Sequence, residues 1–474
     1  MVKMSLNFTP LAGENLSLDI TKQIRRMLDS GSLRSGDKLP STRELARELS
    51  VARGTVLTAM ETLIAEGFLV TKAGSGTYVS SECTPMSSEP LQKLPPPKRV
   101  LSIKPDIDSN FSGRLNFNAC RPSMDAFPQN AWRKAASDAA SRLPESDYGE
   151  PRGELALRIA IAAYLRRARG LDVNANEIIV TNGAMQAMGV VAKLYLTDQS
   201  AVAFENPGYP LARQCFAMTG AEVLPISVDD DGLRVVDLPE KGGNIRLIYV
   251  TPSHQFPTGQ RLSLKRRQQL LDWAMRNDVL ILEDDFDGEY RYDIAPLPPM
   301  AAMNVSGHVM YFGTFSKTMF PSLRIGFAAG PEDLINEMAI YRKVDDYQTN
   351  SLAQLALANF IETGQFEKHV LRMRRIYAKK RYRLRDVIAE CKFPGVLTGT
   401  DSGLNALIRI DARTNATNIA NRARLANISI APIAQYDFTR KLNDDALIFG
   451  YGAPTENQIE EGVLKLAEII RRAN

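Results

Sequence analysis

Five short, largely apolar runs, at 178–180, 201–204, 246–250, 279–282 and 309–312, punctuate the middle of the chain, and each stops at a polar or glycine-bearing turn. Helical stretches such as 185–196 lie between them, and the alternation predicts an α/β core: a mainly parallel sheet with helices on both faces. Strands that are apolar throughout are buried on both sides, the state that crossover helices impose. Such sheets take ligands at the carboxyl edge of their strands, so chemistry is expected just after each run.

Three of those edges carry unusual residues. After 178–180 comes Thr181-Asn182-Gly183-Ala184, a small-residue turn opening a helix, and backbone N–H groups at such a turn hold phosphate. After 279–282 come Glu283-Asp284-Asp285, three acids that an apolar strand does not carry without a task at its end. After 309–312 comes Gly313-Thr314-Phe315-Ser316-Lys317, with Arg324 seven residues beyond Lys317. Most lysines simply solvate a surface. A lysine that shares a sheet edge with a phosphate turn and a carboxylate has a sharper use, because a carboxylate facing a basic ring nitrogen keeps a pyridinium protonated, as a pyridoxal phosphate site requires.

These pieces, in this order, resemble the fold type I aminotransferases that use pyridoxal phosphate. The resemblance runs from about Leu115 to the C-terminus and takes in Glu205-Asn206-Pro207-Gly208-Tyr209 and Thr251-Pro252-Ser253-His254-Gln255-Phe256-Pro257-Thr258-Gly259, the latter in the form found in regulators. It implies that Lys317 is the Schiff-base lysine, that Asp284 partners the pyridine nitrogen and that Tyr209 stacks on the ring. Gly183, Ala184, Thr314, Ser316 and Arg324 become phosphate contacts, and His254 lies near the ring. A homodimer is also implied, with Tyr148, in the contact segment 148–153, reaching the neighbouring subunit's phosphate.

Three positions depart from that family. Phe286 stands two residues after the carboxylate, where a Tyr usually donates to the ring oxygen, so either the internal aldimine should titrate differently or another donor such as Tyr209 or His254 must substitute. Leu211 replaces an Arg two residues past the stacking Tyr, and neither Gln435 nor Leu447-Ile448-Phe449-Gly450 offers the late Arg that clamps a substrate carboxylate; Arg409 is the nearest alternative. Losing bidentate guanidinium contacts removes strong, charge-assisted bonds, so plain α-amino-acid transamination is disfavoured.

The first 80 residues follow other rules. Leu16, Ile20, Ile24, Met27 and Leu28 mark an amphipathic helix over 16–30, stopped by Gly31. Ser41-Thr42-Arg43-Glu44 is a capping box opening a helix over 42–49. A short break precedes a helix over 53–66 with Val56, Leu57, Met60 and Leu63 inward, and 68–79 alternates around a turn at Gly74 to Gly76. Helix-turn-helix plus wing resembles the DNA-binding domain of GntR-type regulators. That resemblance places Arg53, Gly54 and Thr55 in the turn entering the major groove, Ser41 and Arg43 at the helix crossing the backbone, and Lys72, Gly74 and Gly76 at the wing. Ten Lys and Arg face eight Asp and Glu over 1–80, so any basic patch must be local.

Residues 81–113, rich in Ser and Pro and including Pro95-Pro96-Pro97, read as a linker between a head at 1–80 and an effector core at 114–474, whose smaller C-terminal α/β subdomain is expected over about 345–474. Strands are expected at 404–410 and 428–431, and a closing helix at 456–471. The four cysteines form no CxxC pair, so neither a zinc site nor a disulfide framework is expected, and with no signal-like N-terminus or membrane-length apolar run the protein is expected in the cytoplasm. Head, linker and core together resemble the MocR/GabR group of bacterial regulators. The expected function is a transcriptional regulator that binds double-stranded operator DNA as a homodimer with exchanged heads. Its core would sense an amine or amino-acid-like effector, or pyridoxal phosphate itself. The alternatives are an aminotransferase with an appended head, and a core that has lost the cofactor and only dimerises.

Overall fold

The computed structural model describes residues 16–82, 115–142, 146–293, 297–303, 307–411 and 413–473. The chain divides into two compact units, Met1–Val100 and Leu101–Asn474. All but Ser81 and Glu82 of the expected linker lies outside the described residues.

In the first unit, helices Leu16–Asp29, Thr42–Glu48 and Arg53–Ala65 precede a hairpin of β1 (Leu69–Lys72) and β2 (Gly76–Val79). The capping box forms as the sequence suggests: the Glu44 amide donates to Ser41 Oγ at 3.2 Å and the Ser41 amide to Glu44 Oε2 at 2.9 Å. Such a cap contributes about 1 kcal/mol to a helix only two turns long. Ile20, Ile24, Leu45, Val56, Ala59, Met60, Leu63, Leu69 and Val79 form the core. Leu57, expected inward, is exposed, and Ala59 takes the buried place. At 100° per residue, 56, 59, 60 and 63 share one stripe and 57 falls off it.

The second unit is built on β4 to β11, an eight-stranded sheet. Its strands are Ile178–Thr181, Ala201–Asn206, Glu222–Asp229, Gly232–Leu233, Ile245–Val250, Leu280–Asp284, Val309–Thr314 and Gly326–Ala329 once β3 (Leu115–Asn116) is counted first. Their order is β4-β11-β10-β9-β8-β5-β6-β7. Neighbours from β10 through β6 run parallel, whereas β11 is antiparallel to both β4 and β10, and β7 to β6. All five expected runs are strands, and both faces carry apolar clusters under helices such as Leu155–Arg169 and Ala184–Tyr195.

Beyond the long helix Gln365–Glu390 come β12 (Gly395–Thr398), β13 (Asn405–Ile410), β14 (Ile428–Ser429), β15 (Ala431–Pro432) and β16 (Ala446–Gly450), then the helix Glu456–Arg471. The single strand expected at 428–431 is split: β14 pairs in parallel with β3, and β15 forms the edge of an antiparallel sheet ordered β12-β13-β16-β15. Pro432 has no amide to donate, which confines β15 to an edge. Among the described residues no helix is long and apolar enough to cross a membrane.

Candidate functional site

Register brings the three marked edges together. β10 pairs with β9 so that Phe312 lies opposite Asp284, and β11 pairs with β4 so that Gly326 lies opposite Thr181. The ends of β4, β9 and β10 therefore present Gly183, Asp284 and Lys317 along one rim of the sheet.

The three acids divide their work. Glu283, fully buried, accepts from the amides of Met300 and Ala301 at 2.9 and 2.8 Å, and burial pushes its pKa up to about 7. Asp285 accepts from Tyr311 at 2.6 Å and pairs with Arg169 at 2.8 Å. Asp284 and Asp285 each keep a buried Oδ1 without a hydrogen bond, but Asp285 is ion-paired to Arg169, whereas Asp284 receives only the Tyr249 hydroxyl, which donates to Oδ2 at 2.7 Å. Desolvation pushes the Asp284 pKa up to about 7, the neighbouring Asp285 and Asp287 adding to the rise while the Tyr249 hydrogen bond and Lys317 oppose it. A buried carboxylate in that state is a site for a cation or an N–H donor.

At the β4 turn, Arg324 adopts a left-handed conformation (φ 54°) and its guanidinium donates to the Asn182 carbonyl at 2.9 Å. A Cβ on Gly183 would lie 2.9 Å from that guanidinium, and one on Gly326 would lie 2.6 Å from the Ala184 amide nitrogen, so both positions need glycine. The Thr314 and Ser316 hydroxyls are 3.1 Å apart. Two hydroxyls, the Gly183–Ala184 helix start and a guanidinium make an anion-binding set.

Lys317 is half-buried, and among the described residues no carboxylate lies within ion-pair distance of its ammonium. Its carbonyl accepts from the Tyr290 hydroxyl at 3.1 Å, which ties the lysine's backbone to the segment after Asp284. His254 is buried, with Nδ1 held by Asp287 Oδ2 at 3.0 Å and Nε2 without a partner. Phe286 packs against His254 and edge-on against Phe256, and Tyr209 also meets Phe256 edge-on. Burial holds the Tyr209 hydroxyl above its usual pKa.

Tyr148, expected to reach a neighbouring subunit's phosphate, is 74% exposed and packs on Tyr347. Arg409 points off β13 into solvent, 3.8 Å from Asp445, so it is no substitute for the absent carboxylate clamp. Leu211 is exposed. The sequence reading missed Tyr249, Asp287, Tyr290 and the buried Cys120, whose thiol donates to Asn405 at 3.2 Å and is held above its usual pKa by burial. A lone Tyr one residue before the end of the strand 245–250 was the available signal for Tyr249.

In the head, Ser41, Arg43, Arg53, Gly54, Lys72, Gly74 and Gly76 are exposed and Thr55 is half-buried. Arg53 Nε lies 3.5 Å from Thr42 Oγ1, so the starts of the second and third helices adjoin. Lys72 and Lys38 both lie over the Tyr78 ring, at 5.0 and 5.7 Å, which concentrates two cations beside the wing.

The family of aminotransferase class I and II matches residues 114–438, and that of bacterial regulatory proteins of the gntR family matches 16–79. An HTH-type transcriptional regulator of Bacillus subtilis, YdeL, is 31% identical over 468 residues, covering 97% of this chain and 99% of its own. The probable rhizopine catabolism regulatory protein MocR of Rhizobium meliloti is 31% identical over 466 residues, covering 94% and 92%. Among solved structures, kynurenine aminotransferase of Pyrococcus horikoshii, in complex with PMP, superimposes with a TM-score of 0.70 at 25% identity over 76% of this chain and 91% of that one. This chain belongs to the aminotransferase class I and II family, as one of the MocR-type regulators in which a GntR-type winged helix precedes that core.

Proposed function

We propose that this protein regulates transcription in the cytoplasm as a homodimer that binds double-stranded operator DNA through its winged helices and holds pyridoxal phosphate in its core to sense an amine or amino-acid-like effector. The observation that carries the core's role is the buried, partnerless Oδ1 of Asp284 on the rim that also bears Lys317.

The residues present fit the cofactor. Asp284 Oδ1 is free to accept an N–H from the ring, and the resulting ion pair would remove the desolvation that now raises its pKa. Gly183, Ala184, Thr314, Ser316 and Arg324 would hold the phosphate, with Tyr148 available to a second subunit, and Tyr209 would cover the ring face. Lys317 would hold the cofactor covalently through its amine. Bound pyridoxal phosphate supplies an electrophilic carbon that amines attack and a pyridinium that withdraws electrons. His254, fixed by Asp287, keeps Nε2 free as the nearest candidate donor where Phe286 has no hydroxyl.

With Leu211 in place of an Arg and Arg409 turned to solvent, an effector's carboxylate would lack those two clamps, which suits a sensor of amines better than a turnover enzyme. The test is an absorption spectrum of the purified holoprotein with and without a panel of amines. A visible band that shifts with an amine, without sustained turnover of a keto-acid acceptor, supports the reading. Sustained multiple turnover would instead mark an aminotransferase, and a protein that gains no visible band with added cofactor would defeat the sensor role.

A further inference from the structure

The segment after Asp284 also walls a cavity of about 230 Å3, to which no residue assigned to the cofactor contributes. That is smaller than the roughly 300–1,000 Å3 of sites for drug-sized ligands. Four arginines, Arg167, Arg169, Arg291 and Arg374, line it against two carboxylates, Glu289 and Glu367. Both carboxylates are already engaged. Glu367 pairs with Arg167 at 2.6 Å, and Glu289 accepts from Tyr164 at 2.9 Å while lying 3.5 Å from Arg169. Arg169 is further tied to Asp285 at 2.8 Å and to the Gly288 carbonyl at 2.6 Å.

The other two guanidiniums have no carboxylate within ion-pair distance among the described residues, and the four arginines outnumber Glu289, Glu367 and Asp285 by one. Arg374 donates through Nε and Nη2 to the Glu289 carbonyl, at 3.0 and 2.8 Å, which satisfies hydrogen bonds but brings no negative charge. Arg291 has no carboxylate within ion-pair distance among the described residues, and burial, with Arg169 next, lowers its pKa. Val370 and Leu371 give the cavity an apolar wall. An excess of one positive charge, carried on two guanidiniums without a close carboxylate beside an apolar wall, suits a bidentate oxyanion attached to a short carbon body.

We propose that this cavity binds a small organic oxyanion, a carboxylate or a phosphate monoester, with Arg291 and Arg374 holding its oxygens. The test uses holoprotein loaded with pyridoxal phosphate, so that the rim's phosphate site is filled. Calorimetric titration with succinate and, separately, with glycerol phosphate distinguishes the two anion classes, and succinamide serves as the uncharged control. Saturable binding of at least one anion is expected, weakened at least tenfold in Arg291→Gln and in Arg291→Gln/Arg374→Gln, and partly restored in Arg291→Lys. The variants' unchanged visible band reports that they are folded and loaded. The proposal is overturned if neither anion binds saturably, if Arg291→Gln binds as tightly as the parent, or if succinamide binds as well as succinate.

Discussion

Tyr249 donates its hydroxyl to Oδ2 of Asp284 at 2.7 Å, and the opposite carboxylate oxygen, Oδ1, is buried with no partner. One hydrogen bond does not compensate for the loss of water, so the folded-state pKa stands near 7 against an ordinary 3.8. A raised acid pKa means that the folded protein binds the proton more tightly than the unfolded chain. Its stability therefore falls as pH rises through the window from about 4 to about 7, and the penalty is complete above it. Without cofactor, Asp284→Asn should thus be more stable than the parent at pH 8, by on the order of 2–4 kcal/mol, and no more stable at pH 4. Cofactor should remove that pH dependence from the parent. Denaturant melts at the two pH values, with and without cofactor, check this.

Tyr249→Phe deletes the one donor that keeps Asp284 ionisable. The Asp284 pKa should rise further, and cofactor affinity should drop roughly 10–150-fold, the worth of one hydrogen bond to a charged group. An equilibrium titration followed in the visible band measures it. An unchanged affinity would mean that Asp284 is oriented by something else.

Much of this was legible in the sequence because buried parallel strands advertise themselves as apolar runs, and the residues that interrupt them stand out. Lys317, Asp284 and Gly183 could be marked from that pattern. What it could not supply was facing and pairing. Glu283, Asp284 and Asp285 are indistinguishable in sequence, yet one caps a helix start, one idles at the rim and one joins Arg169. Arg409 could be placed in a strand but not turned outward, and the break at Ile430 depends on a partner, β3, more than 300 residues away in sequence. Tyr148 is exposed in one chain, and the use expected for it lies in a neighbouring subunit.

In the head, Arg53 opens the third helix beside Thr42, and Lys72 lies over Tyr78 at the wing. Arg53→Ala should cost roughly 1–3 kcal/mol on the specific site and relax sequence choice, whereas Lys72→Ala should weaken all duplexes about equally and reduce the salt slope by about 1. Competition binding on specific and random duplex at several salt concentrations separates the two. Equal losses on both duplexes for Arg53→Ala would remove its base-reading role.

If the cores set the distance between two heads, the operator should hold two half-sites at a fixed helical phase. Inserting five base pairs between them should weaken full-length binding by at least tenfold, and the isolated segment 1–80 should bind far more weakly than the full chain because linked heads gain effective concentration. Indifference to the insertion would free the heads from the cores.

In the proposed mechanism the state of the rim around Lys317 and Asp284 controls the DNA-binding head. The most direct measurement is operator affinity of the holoprotein, the cofactor-free protein and Lys317→Ala, each titrated with an amine that shifts the visible band. The holoprotein's affinity is expected to change over the same amine concentrations that shift the band, because a ligand moves an equilibrium only through unequal affinity for its two states, and Lys317→Ala is expected to show neither response. Identical operator affinity in all three proteins, with and without amine, would contradict it.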